Sequence, residues 1–331
     1  MKIEKDIDQQ SILSGCTLDD FESNDLAMQR CLELAKIASE TDLPILIQGE
    51  TGTGKTLLAR AIHNSSKRAK GPFISFNAAA LSDTLLDSQL FGHERGAFTG
   101  AEKGVKGKFE LADKGTLFID EIADMSPLAQ SKILRALEYG EFERLGSERI
   151  QIADVRLISA THLPLNRFIE LDQFRRDLFY RLCGIKICIP ALRDRPNDLK
   201  FLIATEIGLA NQKQERSIIG FDHKAAKRLF SYHWPGNLRE LNRVINAAVA
   251  ISKGSIIEGD AILIDQLEYP SDTRDQETCN ENHQDMSLES MEQRHIRRVL
   301  EKMQGNKRQS ARILGISRAT LDRKLSQFFS G

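Results

Sequence analysis

Eight consecutive residues, Gly49, Glu50, Thr51, Gly52, Thr53, Gly54, Lys55 and Thr56, follow the pattern G-x-x-x-x-G-K closed by a hydroxyl residue. Glycines at these places let backbone N–H groups curl around phosphate oxygens. A lysine adds charge at the β and γ phosphates, and a hydroxyl ligates Mg²⁺. Lys55 and Thr56 fit the last two roles, so the stretch is expected to bind ATP with Mg²⁺. A glycine-rich turn that binds nothing is the bland alternative. The flanks argue against it, because the apolar run LPILIQ precedes the pattern and the helical LLARAIH follows it.

A second centre lies at the end of TLFID, where Asp120 is followed by Glu121. Asp120 would hold Mg²⁺, directly or through water, and Glu121 would orient and polarise the attacking water. Alone, such a pair usually marks where a buried strand meets solvent; downstream of a phosphate loop it reads as the other half of a hydrolytic site. Phosphoryl transfer also needs positive charge where the γ phosphate departs. FRRDLFYRL supplies Arg175, Arg176 and Arg181, and WPGNLREL supplies Arg239, each on its own an ordinary surface arginine.

The elements that must position these residues are short and apolar. LPILIQ (43–48), FISF (73–76), TLFID (116–120), VRLISA (155–160) and IKICIP (185–190) alternate with helical patterns. Runs apolar on both faces, separated by helices, indicate an α/β domain with a parallel sheet covered on both sides. From about Arg193 the strand signal fades, and NDLKFLIATEIGLANQ and PGNLRELNRVINAAVAIS predict a helical subdomain ending near Ile264. Glu268 to Asp285 carries six acidic residues against one arginine and reads as a solvated linker. The expected division is a short tail at 1–20, an α/β subdomain at 21–192, a helical lid at 193–264, a linker at 265–286 and an all-α terminal domain at 287–331.

That last domain holds ten Lys/Arg against four acids in a chain of net charge −1. Its pattern predicts helices at 288–303, 307–314 after Gly305-Asn306, and 318–328 after Gly315, with Ser317 as the last amino-terminal cap. A solvated bundle without a partner would look similar by charge. Two short helices joined by a glycine turn match a helix-turn-helix whose final helix enters the major groove. Lys307, Arg308, Ser317, Arg318, Thr320, Arg323 and Lys324 are the expected DNA-binding residues.

The remaining composition excludes other classes. No apolar run in the 331 residues approaches the length of a membrane span (about 18 residues), and MKIEKDIDQQ lacks a signal-peptide core, so a cytoplasmic protein is expected. Cys16, Cys31, Cys183, Cys188 and Cys279 are odd in number and scattered, which points to reduced thiols. The seven histidines show no HExxH or paired spacing, so no structural or transition metal is expected. One stretch fits none of these patterns: Gly96, Ala97, Phe98, Thr99, Gly100 and Ala101 form a loop with a lone aromatic ring, which either tucks back or is presented to a partner.

GETGTGK, LFGHERGAFTGAEKG, GTLFIDEI, FRRDLFYRL, WPGNLREL and NKRQSARILGISRATLDRKL together resemble the bacterial enhancer-binding proteins, the AAA+ activators of sigma-54 RNA polymerase, from Phe21 to Phe329. GAFTGA is the most specific element, since other AAA+ ATPases lack this loop. The resemblance implies an AAA+ P-loop fold with a helical lid and a Fis-like helix-turn-helix. Lys55, Asp120 and Glu121 then form the hydrolytic centre, Asn77 is the switch that holds the glutamate, Thr161 and Arg239 are the first and second sensors, and Arg175 and Arg181 are arginine fingers reaching a neighbour's nucleotide. It further implies that the six GAFTGA residues contact sigma-54 with Phe98 turned outward, and that the chain forms a ring, usually a hexamer, with a dimer at rest. Partners would be the sigma-54 holoenzyme and enhancer DNA, which raises the ring's effective concentration near polymerase by looping.

Three features depart from the pattern. Thr56 stands where the family usually has an acid, and ATH at 160–162 replaces the commoner ATN. Only residues 1–20 precede the ATPase region, so either a separate regulatory protein or expression level supplies control, or the chain is a fragment of a longer regulator. Turnover is accordingly expected without phosphorylation or a small-molecule signal. A replication initiator or helicase loader is a rival that GAFTGA argues against; an ATP-independent repressor is another, opposed by the complete set Lys55, Asp120, Glu121 and the arginines.

Overall fold

All five β-rich runs become strands of one sheet: β1 (Ile45–Gln48), β2 (Phe73–Asn77), β3 (Thr116–Asp120), β4 (Arg156–Thr161) and β5 (Ile185–Cys188). The computed structural model describes residues 15–79, 82–264, 296, 303, 306–314 and 316–329. Every pair in the sheet is parallel, in the order β2-β3-β4-β1-β5. Parallel neighbours cannot be joined by tight turns, so helices carry the chain across the faces. β1 starts two residues later than its apolar run because Pro44 has no N–H for the ladder, and β5 stops short of Pro190 for the same reason.

Side chains on successive strand residues point to opposite faces. Ile45, Ile47, Phe118, Ile158 and Ala160 therefore pack on one side, with Ala35 and Ala38 of α1 (Leu26–Ser39) and Leu58, Ala59 and Ile62 of α2 (Lys55–Asn64). Leu46, Leu117, Ile119 and Leu157 pack on the other, against α3 (Asp83–Phe91), α4 (Pro127–Tyr139) and α5 (Arg176–Leu182) through Leu90, Ile133 and Leu178. The two clusters explain why the strands read as continuous apolar runs rather than alternating ones. Helix ends follow local chemistry. Asp25 accepts a hydrogen bond from the Ala27 N–H at the start of α1, and Ser126 accepts one from the Ala129 N–H ahead of Pro127 in α4.

Beyond β5 the chain is helical. α6 (Pro196–Gln214), α7 (His223–Ser231) and α8 (Asn237–Ile251) surround a separate core of Ile203, Leu229, Trp234, Leu241 and Ile245. All of this belongs to one compact unit, Met1–Gln266, and Leu267–Gly331 forms a second. In the second unit α9 (Lys307–Ile313) and α10 (Arg318–Phe329) meet around Ala311 and Leu321, together with Ile296. Asn306 caps α9, and the Ser317 hydroxyl accepts from the Thr320 N–H at 3.1 Å, as the sequence predicts for α10. The tail to residue 14, the linker, the helix expected at 288–303 apart from Ile296 and Met303, Cys279, Gly305 and Gly315 lie outside the described residues. No helix among the described residues is long and apolar enough to cross a membrane.

Candidate functional site

The residues singled out for phosphate chemistry gather at the carboxyl edge of the sheet, where open α/β folds bind ligands. β1 runs into the Gly49 loop, Asn77 lies beside Asp120 in register, and Gln48 beside Thr161. Gly52 (φ 81°) and Gly54 (φ 101°) adopt left-handed conformations that side chains disfavour, which is why the loop can present its N–H groups inward. Lys55 is 6% exposed; its Nζ donates to the Gly49 carbonyl at 2.9 Å and the Glu50 carbonyl at 3.3 Å, and lies 3.8 Å from Glu121 Oε1. Burial lowers the Lys55 pKa, opposed by the charges of Glu121 and Asp120. Burial also raises the Asp120 carboxyl, helped by Glu121 and countered by Lys55.

Glu121 has φ 52°, unusual for a residue with a side chain and the kind of outlier that gathers at functional sites. Its Oε2 accepts from His162 Nδ1 at 2.7 Å and from the His162 N–H at 3.3 Å. The contact that the resemblance implies with Asn77 does not form. Asn77 Oδ1 instead accepts from the Ala79 N–H at 2.8 Å, closing a local turn as the chain leaves β2. Thr161 is buried, and its hydroxyl accepts from the Leu163 N–H at 3.0 Å. Arg239 is exposed in the first turn of α8, and its charge acts on both Lys55 and Asp120. Arg175 and Arg181 are exposed and bonded within the chain: Arg175 pairs with Asp177 at 2.6 Å, and Arg181 donates to the Leu137 carbonyl of α4 at 3.1 Å.

Mg²⁺ prefers hard oxygen donors, and Thr56, exposed on the first turn of α2, and Asp120 supply them. A half-buried carboxyl with a raised pKa is one whose ionised form a divalent cation would stabilise, so the residues fit the ion.

Three residues of this centre were not read from the sequence as a joint. Asn237, fully buried with φ 52°, donates from Nδ2 to Glu50 Oε2 and to the Thr51 carbonyl, both at 3.1 Å, and its Oδ1 accepts from the Leu192 N–H at 2.7 Å. Arg193 donates to the same Glu50 oxygen at 2.9 Å and is the main cause of that carboxyl's lowered pKa. The Glu50 side chain thus binds the helical subdomain. The Leu238 N–H donates to the Gly52 carbonyl at 3.0 Å, and a Cβ on Gly52 would sit 2.3 Å from the Gly236 carbonyl. The phosphate loop and the start of α8 are fitted to each other at van der Waals range. Its sequence signal is WPGNLREL, where Asn237 stands two residues before Arg239.

In the GAFTGA loop Gly96 (φ 83°) and Gly100 (φ 100°) are left-handed, and the Gly96 N–H donates to the Ala101 carbonyl at 2.8 Å. Gly96, Thr99 and Gly100 are exposed, Ala97 is half-buried and Ala101 is buried. Phe98 differs from the expectation of an outward ring. It is half-buried, edge-on to the His93 ring with centroids 5.0 Å apart, and His93 is itself fixed by a 2.8 Å hydrogen bond between Nδ1 and Ser88 Oγ. The hinge-like glycines let the ring fold back, and aromatic packing rewards it. At the stem Arg144 donates to Glu94 at 3.0 Å and to Glu110 at 2.7 Å.

In the second unit Arg308, Arg318 and Arg323 are exposed and Thr320 and Lys324 half-exposed. Asp322 sits among them, 2.9 Å from Lys307 and 3.8 Å from Arg318, and the lysine's hydrogen bond lowers its pKa.

Residues 21–188 match the Sigma-54 interaction domain, 193–279 the AAA+ ATPase lid domain, and 287–328 the bacterial regulatory proteins of the Fis family. The chain belongs to the sigma-54 activator family. This activator-family chain is 42% identical to the regulatory protein AtoC of Escherichia coli K12 over 91% of its own length and 66% of AtoC, so it spans about two thirds of that relative. It is 45% identical to the Nif-specific regulatory protein of Rhodobacter capsulatus over 76% of its length and 43% of that protein. Among solved structures, NtrX of Brucella abortus in complex with ADP superposes with a TM-score of 0.69 at 30% identity, covering 97% of this chain and 71% of NtrX. Thermotoga maritima RuvB, at 18% identity and a TM-score of 0.51 over 96% of this chain and 91% of RuvB, shares the fold alone.

Proposed function

We propose that this sigma-54 family protein is an ATPase that works as a ring, binds enhancer DNA and remodels the closed complex of sigma-54 RNA polymerase through its GAFTGA loop. The observation that carries the reading is the convergence of the phosphate loop, Asp120 and Glu121 at one sheet edge, in a chain whose GAFTGA insertion leaves and re-enters the core between Asn77 and Asp120. ATP would lie in the Gly49–Thr56 loop, with Lys55 exchanging two loop carbonyls for phosphate oxygens. Thr56 and Asp120 would hold Mg²⁺, which supplies charge neutralisation at the β and γ phosphates. Glu121 takes up the developing proton of the attacking water. Arg175 and Arg181 act on the nucleotide of the neighbouring subunit, which suits their exposure and demands an assembled ring of at least two subunits, a hexamer in the working state.

Work follows from the attachment of the loop. One end of the insertion follows Asn77 at the carboxyl edge beside the site, and the other enters β3 at Thr116, four residues before Asp120, so a change at the γ phosphate would reach Gly96–Ala101 through β2 and β3. In the working state Phe98 leaves His93 and meets sigma-54, and afterwards folds back. α9 and α10 hold the ring at an upstream enhancer.

Steady-state turnover tests the chemical half. Glu121→Gln should abolish hydrolysis while leaving ATP binding intact, and chelating Mg²⁺ should stop the native chain. A Glu121→Gln protein that turns over at the native rate would remove Glu121 from its role.

A further inference from the structure

Gln130 lies near the start of α4, is fully buried and has no part in the chemistry described so far. Its side-chain amide is committed to main-chain groups of two other segments. Nε2 donates to the Met125 carbonyl at 2.8 Å and to the Gln173 carbonyl at 3.0 Å, and Oε1 accepts from the Arg175 N–H at 2.8 Å. Two carbonyls and one N–H admit a single orientation of the amide, with both of its N–H groups in use.

The segments joined in this way both bear on phosphoryl transfer. Met125 is tied back to the Asp120-Glu121 pair by a hydrogen-bonded turn, in which the Asp124 N–H donates to the Glu121 carbonyl at 3.1 Å and the Met125 N–H to the Ile122 carbonyl at 3.4 Å. On the other side the buried Phe174 separates Gln173 from Arg175, which heads α5 with an extended backbone. A helix-capping residue has no use for its own N–H within the helix, and Gln130 takes that of Arg175. The Arg175 carbonyl accepts from the Phe179 N–H at 3.1 Å. Both main-chain groups of Arg175 are therefore fixed, while its exposed guanidinium rests on Asp177 and, at 3.2 Å, on the hydroxyl of Ser131, the residue after Gln130.

We propose that Gln130 is a positioning residue for hydrolysis in the neighbouring subunit: by bracing the Arg175 main chain against Met125, it sets where the guanidinium is presented across the seam. The inference rests on the reading of Arg175 as a residue that acts on a neighbour's nucleotide. All three hydrogen bonds of the Gln130 amide go to residues outside the phosphate loop, so its loss acts on catalysis and not on the affinity of its own subunit for ATP. Removing the amide leaves three main-chain groups without their partner and the start of α5 without its brace. A shift of about 1 Å in a catalytic group is enough to cost about a hundredfold in rate.

The test is ATPase kinetics of the full chain carrying Gln130→Leu or Gln130→Glu, each checked for folding by thermal melting. Gln130→Leu fills the space without hydrogen bonds and should lower kcat by about ten- to a hundredfold, with the affinity for ATP within about threefold of native. Gln130→Glu keeps an oxygen for the Arg175 N–H and should fall between the leucine variant and native. The deciding measurement is mixing. An excess of Glu121→Gln subunits, inactive themselves but with an intact Arg175, should raise turnover per Gln130→Leu subunit by at least about threefold, because a sound neighbour then serves its sound site. Damage confined to the subunit's own site is not relieved in this way. If the leucine variant melts below the assay temperature, Gln130→Glu takes its place in the mixture. Native-like kcat in Gln130→Leu, a loss confined to ATP affinity, or no gain on mixing overturns the proposal. Arg175→Ala mixed with Glu121→Gln is the control: no gain there overturns the reading of Arg175 itself, whereas a gain there and none with the Gln130 variant overturns only the role of Gln130.

Discussion

Asn237 makes no contact with phosphate in the proposed cycle, yet its one side chain ties the phosphate loop to the helical subdomain. It is fully buried, satisfies Leu192, Glu50 and Thr51, and occupies a left-handed conformation that asparagine tolerates better than most residues. Asn237→Ala would orphan the Leu192 N–H and a bond to a carboxylate, a loss of about 2–3 kcal/mol. The expected outcome is a melting temperature lower by several degrees together with weaker ATP binding, measured by calorimetry and nucleotide titration; unchanged melting would contradict it. Gly49–Thr56 and the Asp120-Glu121 pair were legible because contiguous residues set their own geometry. Glu50's attachment to Arg193 and the His162–Glu121 contact were not, since they join residues 143 and 41 positions apart. Pattern reasoning has no access to such approaches.

At the level of elements, the strands were the most readable feature. Their both-faces apolar character follows from helices covering each side, and prolines mark the ends. Phe118 illustrates the tie between core and chemistry. It is 1% exposed, stacks on Phe73 with centroids 6.1 Å apart, and lies two residues before Asp120 on the same strand. Phe118→Ala should cost about 3–5 kcal/mol through the cavity left behind. A drop in denaturation midpoint accompanied by a lower kcat is expected; a stability within experimental error of native would show that the sheet is packed differently. The GAFTGA loop was legible as a glycine-hinged loop, but the resting place of its ring was not. The partner, His93, needs Ser88 to orient it, and that arrangement appears only when α3 turns back onto the loop stem.

On the scale of the whole molecule, charge separates the two units. Residues 287–331 carry ten basic against four acidic side chains, in a chain of net charge −1. Within that surplus Asp322 restrains Lys307 and Arg318, so the basic face is partly internally paired. Exposed pairs of this kind hold little against phosphate at physiological salt, because screening acts on them within about 8 Å. Arg318→Ala should therefore weaken DNA binding by about tenfold and flatten its salt dependence, as judged by titrating a duplex selected from a random pool at two ionic strengths. Equal affinity and slope would remove α10 from the DNA contact.

The central claim is that hydrolysis at the sheet edge is delivered through Phe98 to the polymerase. Strand separation at a sigma-54 promoter, followed with a single-strand-specific chemical probe on purified components, tests it most directly. The native chain with ATP should open the promoter, whereas Phe98→Ala with ATP, or the native chain with an analogue that cannot be split, should leave it closed. Opening by Phe98→Ala to the native extent, or opening with the unsplit analogue, would contradict the account.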